Sequence, residues 1–272
     1  MPNSKVYAHI TAKNHPAGNL GDKMGYLIAD KLLGSSNYKK LGIRDIDFVD
    51  EATFAIVGSL LQVLASKPVN VIGGGLINSN PRKYHNRIKI HGVRGFLTKA
   101  LILRDAGIDV PVIGDPGLLL SNLYPLPCND KKPLGFIVHK VDRDKFLKNF
   151  PHFESLIIDN YLEPEGFVKQ LSKYSSVAST SLHGCVFCHS YGIPVKPFYL
   201  TDEVIGGDFK FMDYYSSLGL DVRREYLDEI NSEVDFVQKI IDSPQPGYGF
   251  IERLKKKQID LIERVMFESS EK

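Results

Sequence analysis

No apolar run in this 272-residue chain approaches the length needed to span a bilayer, and Met1–Ile10 (MPNSKVYAHI) lacks the apolar centre of a secretion signal. The expected compartment is therefore the cytoplasm. Charge of one sign is also scarce. Thirty-four Lys and Arg against 32 Asp and Glu leave a formal +2 at pH 7, and no RNA- or DNA-binding signature accompanies it, so nucleic acid is not an expected partner. A G-x-G-x-x-G run with its downstream acidic residue is missing, which removes a dinucleotide fingerprint. The histidines and carboxylates show no ligand spacing such as H-E-x-x-H, so neither a metal nor another cofactor is expected.

Cysteine is sparse, with three residues in all. Cys185-Val186-Phe187-Cys188-His189 matches the C-x-x-C-H pattern of haem attachment. That attachment belongs outside the cytoplasm, and the motif lies inside an apolar run at helical spacing, so packing within a buried helix is the expected role. Cys128 follows a proline in a linker and has no apparent partner.

What the chain does have is a repeated alternation of short apolar runs with segments of helical periodicity. At 43% hydrophobic and 24% charged it can bury one large core or two moderate ones. Lys5–Ile10 reads as a strand, then a glycine- and proline-containing loop leads to a helix through Met24, Leu27, Ile28, Leu32 and Leu33. Asn19-Leu20-Gly21-Asp22 thus stands at the carboxyl end of a strand. Open α/β sheets bind ligands there, and Asp22 could accept a proton as readily as it could cap the helix. Phe54–Val57 and Val69–Ile72 read as strands ending in Gly58-Ser59 and in Gly73-Gly74-Gly75, where a backbone can approach a ligand. Arg87–His91 reads as a strand and Val93–Leu103 as a helix stopped by Gly107. Arg94 falls in the first turn of that helix, where a cation opposes the dipole, so a ligand contact or a surface ion pair is expected of it. Ile113-Gly114-Asp115-Pro116-Gly117 is a strand end with an acidic turn.

Tyr124–Pro133 is polar and proline-rich, the expected boundary between domains. Strands are then expected at Leu134–Val138 and Leu156–Ile158, with helices at 142–150 and 164–174. His139-Lys140 ends the first of these strands, where lysine could meet a phosphate as a point charge. Val177–Phe198 reads strand, turn, helix, strand. Ser179-Thr180-Ser181 leads into Leu182-His183-Gly184, and the start of the helix would turn backbone N–H groups and a positive dipole end toward an anion beside His183. Further on, Phe209–Tyr215 begins an aromatic helix whose tyrosines could stack on sugars or fill a core. Two more helices are expected, through Val234–Ile241 and Ile251–Val265. Lys255, Lys256 and Lys257 lie off the apolar stripe, as a solvated face able to touch an anionic membrane surface.

The fold class expected is α/β, as two Rossmann-like doubly wound lobes facing a cleft: residues 1–125, residues 126–245, and a C-terminal helix in 246–272 crossing back to the first.

The ordered set N-x-G-D (Asn19–Asp22), Gly73-Gly74-Gly75, Gly92-Val93-Arg94-Gly95, Gly114-Asp115-Pro116 and Leu182-His183-Gly184 resembles the polysaccharide pyruvyl transferase family over about two thirds of the chain. The resemblance implies a fold similar to GT-B glycosyltransferases, with residues 1–125 on the acceptor side and 126–245 on the donor side. It also implies transfer of a pyruvyl group from phosphoenolpyruvate to two sugar hydroxyls, forming a ketal on a lipid-linked precursor of a bacterial surface polysaccharide, such as a capsule. Many members carry arginine immediately before the Leu-His pair. Here that position is Ser181, so the anion must be clamped differently.

The residues suit that chemistry. Arg94 and Lys140, with His139, Ser181 and the N–H groups near Gly184, are the donor-binding candidates. His183 could protonate the donor's methylene or phosphate, while Asp22 or Asp115 accepts a hydroxyl proton. Asn19, Gly21 and the glycines at 73–75 are the acceptor-side candidates. A nucleotide-sugar glycosyltransferase and a non-catalytic sugar-binding protein remain open, since both would share the two lobes.

Overall fold

Among the described residues eleven short segments pair into parallel sheets, and inner strands such as Thr53–Ala55 and Asn70–Val71 are buried on both faces, as strands covered by helices on each side require. The computed structural model describes residues 7–11, 18, 20–128, 130–227 and 232–267. In the first half the elements are β1 (Tyr7–Thr11), α1 (Leu20–Leu33), β2 (Tyr38–Gly42), β3 (Thr53–Ala55), α2 (Leu61–Leu64), β4 (Asn70–Val71), β5 (Lys89–Ile90), β6 (Gly92–Val93), α3 (Phe96–Ala106), β7 (Val112–Ile113) and α4 (Leu120–Leu123). In the second half they are β8 (Lys132–Ile137), α5 (Arg143–Asn149), α6 (Pro164–Leu171), β9 (Tyr174–Ser179), α7 (Leu182–Ser190), β10 (Val195–Tyr199), α8 (Gly207–Ser217), β11 (Glu225–Tyr226), α9 (Glu233–Asp242) and α10 (Tyr248–Phe267).

The first sheet has the order β2-β1-β3-β4-β5 and the second β11-β10-β9-β8, with β6 and β7 as a separate pair. Every pairing is parallel, for example Ala8 opposite Thr53 and Gly135 opposite Val177. The chain is therefore α/β with parallel sheets. A bridge from Gly74 to Val93 ties the β6–β7 pair to the first sheet.

One apolar cluster runs through both halves. It joins Leu20, Met24 and Ile28 of α1, Leu118–Leu120, Cys185–Cys188 of α7, Tyr214 and Tyr215 of α8, and Leu261 and Ile262 of α10. A second lies against the first sheet around Leu61, Leu64 and Ile102. A third, aromatic one lies against the second sheet, where Phe136 sits 5.0 Å edge-on from Phe236. Each aromatic ring there removes a large apolar area from water, at about 25 cal/mol per Å².

Several local expectations change. Leu156–Ile158 makes only an isolated bridge from Ile157 to Phe136, after a 3-10 turn opened by Pro151. Tyr174 starts β9 rather than closing α6, because Ser172 ends the helix and the Tyr174 ring is then buried in the apolar core. Strand β2 was not expected from its two lysines. Lys39 and Lys40 are exposed on an edge strand, where charges discourage further pairing. Lys255 is 4% exposed and donates to Ser121 Oγ at 2.8 Å and to the Ser190 carbonyl at 2.7 Å, so it is a buried strut of α10, while Lys256 and Lys257 face solvent. Among the described residues no helix is long and apolar enough to cross a membrane.

Candidate active site

Two helices that start just after parallel strands build the centre of the site. After β9, Ser179 folds the turn upon itself: its hydroxyl bonds the Ser181 carbonyl at 2.9 Å and accepts from Ser181 N at 3.1 Å. Ser181 is extended at the N-cap of α7 with no side-chain capping bond, so the first-turn amides of this helix are left for another acceptor. Helix α1 brings Gly21 and Asp22 to the same place. Gly21 is required by contact, since a Cβ there would fall on the His183 imidazole.

His183, Asp22, His139 and Ser181 line one cavity of about 290 Å³ together with Gly58, Ser59, Glu203 and Lys210. His183 is half-buried with its Nε2 fully buried and unpartnered. Burial pulls its pKa down to about 4, against the opposing pull of Asp22. In the empty cavity the imidazole is therefore neutral at pH 7, the form that can accept a proton. His139 lines the wall from the turn after β8, with its amide donating to Thr180 Oγ1 at 2.8 Å.

Other candidates fall elsewhere. Arg94 precedes α3 instead of entering its first turn, and is 1% exposed. Its Nε donates to Asp213 Oδ2 at 2.9 Å, Nη1 to Ser59 Oγ at 2.8 Å and Nη2 to the Leu76 carbonyl at 2.7 Å, so the guanidinium is consumed by the protein and is not open to a donor. Asp115 is 1% exposed, caps the turn at Pro116 through Gly117 N at 2.8 Å, and is raised to about 6 by burial; it does not line the cavity. Lys140 is exposed with its ammonium 6.0 Å from the Tyr161 ring centre, also outside the lining. Gly184 is buried against Ser179 and Ile137. Gly73, Gly74 and Gly75 are buried packing positions. A Cβ at Gly73 would meet Pro116, and one at Gly75 the Arg94 guanidinium, so this run makes room for neighbours rather than for an acceptor. Asn19 lies outside the described residues. The Cys185 and Cys188 side chains are in the core, and among the described residues no cluster of His, Cys, Asp or Glu is placed to hold a metal ion.

Sequence reasoning missed Lys210, Ser59, Glu203 and Asp213. Gly58-Ser59 was visible as a strand end with the same signal as Gly73–Gly75. For Lys210 and Asp213 the only signal was their place in the aromatic helix, where Phe211, Tyr214 and Tyr215 prove to be core residues, each at most 1% exposed.

The profile of the polysaccharide pyruvyl transferases matches residues 55–200, more than half of the chain. The chain belongs to the polysaccharide pyruvyl transferase family. The matched stretch holds Ser59, Arg94, Asp115, His139, Ser181 and His183, and leaves Asp22 and Lys210 outside. Family membership places the protein among transferases of polysaccharide synthesis. An uncharacterized protein of Acanthamoeba polyphaga mimivirus is 29% identical over 228 residues, covering 80% of this chain and 76% of that protein. Among solved structures, a variant of the wall teichoic acid polymerase TagF aligns over 99% of this chain and 91% of its own, at 13% identity and a TM-score of 0.42, too loose to establish a shared fold.

Proposed function

We propose that the protein transfers a pyruvyl group from phosphoenolpyruvate to two hydroxyls of one sugar in a lipid-linked polysaccharide precursor, in a cleft between two GT-B-like lobes at the cytoplasmic face of a membrane. The observation that carries this reading is a neutral histidine at a helix N-terminus, its Nε2 buried and unpartnered, sharing a small polar cavity with a carboxylate and a lysine in a chain of this family. On this reading His183 relays the proton of the first hydroxyl to the methylene, which becomes the methyl group, and the central carbon, made electrophilic by that protonation, bonds the hydroxyl oxygen in the same step. Asp22 favours the transient imidazolium. The C–O bond to phosphate then breaks, the second hydroxyl bonds the same carbon, and its proton leaves with the phosphate as hydrogen phosphate. The first-turn amides of α7 offer partners for the donor's carboxylate or phosphate.

Incubation of the enzyme with phosphoenolpyruvate and a lipid-linked oligosaccharide, followed by mass spectrometry, is expected to show the ketal and an equal release of phosphate. His183→Gln should lower that rate about a hundredfold to ten-thousandfold with an unchanged fold. Thermal stabilisation by a nucleoside diphosphate but not by phosphoenolpyruvate would overturn the reading in favour of a glycosyltransferase.

A further inference from the structure

Lys210 reaches the cavity from α8 carrying a charge that the protein does not neutralise. It makes no hydrogen bond or ion pair with any described residue, and its closest ring contact is Phe211 at 5.7 Å. Its charged neighbours are two arginines, Arg94 and Arg224, and two carboxylates, Asp142 and Asp22. Burial first, then Arg94 and Arg224, bring its pKa down to about 8 against the opposing pull of Asp142 and Asp22. Arg224 is itself unusual. Its side chain is 7% exposed and stacked 4.9 Å from the Phe211 ring; Nε is satisfied by Asp208 at 2.6 Å, but Nη1 is buried with no partner. A buried cation without a counter-charge is costly to the fold, by several kcal/mol in desolvation before relaxation. An ammonium without an ion-pair partner at this cavity is explained by an anion that arrives with the ligand, while Arg224, paired with Asp208 and outside the lining, adds positive potential behind it. The departure at Ser181 then has a structural answer, because positive charge absent from the start of α7 enters the cavity from α8 through Lys210.

We propose that Lys210, backed by Arg224, forms the anion subsite of this cavity and holds a phosphate group. This deepens the reading above by naming the residues that meet the donor's phosphate. Lysine serves as a point charge, and no bidentate geometry is required of it.

Calorimetric titration of the purified chain with inorganic phosphate and with phosphoenolpyruvate tests the subsite. Lys210→Met is expected to weaken both about tenfold or more, Lys210→Arg to retain most of the affinity, and Lys140→Met to change neither. In the absence of ligand, Lys210→Met should also melt at a higher temperature than the parent, because an uncompensated charge has been removed. Unchanged phosphate affinity in Lys210→Met, or a lower melting temperature that marks the lysine as a structural partner, would overturn the proposal. Phosphate binding that depends on Lys210 in a protein that forms no ketal would support the subsite while sinking the pyruvyl reading.

Discussion

Arg94 and Asp213, 119 positions apart, meet at 2.9 Å with both side chains out of water. Asp213 also accepts from Thr98 N and from Thr98 Oγ1, each at 2.7 Å, so one carboxylate on α8 is bonded to the turn before α3 and to its first residues. The Asp213 carbonyl lies so close to Gly95 that a Cβ there could not be accommodated. This lock sets α8 against the first half of the chain, and Lys210, one turn earlier on the same helix, takes its place at the cavity as a consequence.

Asp213→Ala should therefore cost about 3–5 kcal/mol, since it strands the Arg94 charge in the interior. Urea unfolding measures it. A paired replacement, Arg94→Met with Asp213→Leu, should recover most of that loss, and a cost below 1 kcal/mol for the single variant would show that water or another group reaches Arg94.

Gly21→Ala tests the contact between α1 and the catalytic candidate. The added methyl must displace the His183 ring, so turnover should fall about a hundredfold. Overpacking should cost only about 1–3 kcal/mol. Full activity with unchanged melting would mean that the imidazole does not work from the position it occupies here.

Stability should fall on mild acidification. Burial holds His91 and His183 near 4 and His189 near 3, against an ordinary value of 6.5, so between those limits the unfolded chain binds more protons than the folded one. Each histidine thus contributes stability that is complete above 6.5 and is lost as pH falls toward its folded value. Asp115, raised from 3.8 to about 6, acts in the opposite sense over its own window, one group against three. The melting temperature should drop from pH 7 to pH 5, and His189→Gln should shrink the drop; a flat profile would contradict these burials.

Thiol chemistry should separate the cysteines. Cys185 and Cys188 are buried in α7, with the Cys185 thiol pushed up to about 12, whereas Cys128 is exposed. A thiol reagent should label Cys128 in the native protein and all three after denaturation. Rapid native labelling of Cys185 would show that α7 opens.

Local patterning was enough for the alternation of strands and helices, because the period of the apolar residues needs no knowledge of distant contacts. It was also enough for the turn at Ser179–Gly184, for a helix that begins within two residues of Asp22 and for the buried fate of the C-x-x-C-H run. It was not enough for Arg94. Helical periodicity from Val93 suggested a first-turn cation, whereas Gly95 delays the helix and a carboxylate 119 residues away claims the guanidinium. The glycine run at Gly73–Gly75 misled for a related reason: a glycine looks the same in sequence whether a ligand or Pro116 lies against it. Lys255 read as a solvated face because its partners, Ser121 and the Ser190 carbonyl, come from other elements. Strand ends and helix starts are encoded within a few residues, so the sequence by itself determined the α/β alternation and the place of His183. Which cation shares a cavity with that histidine depends on how α8 docks, through contacts between residues far apart in the chain, and only the tertiary structure decided for Lys210 over Arg94 and Lys140.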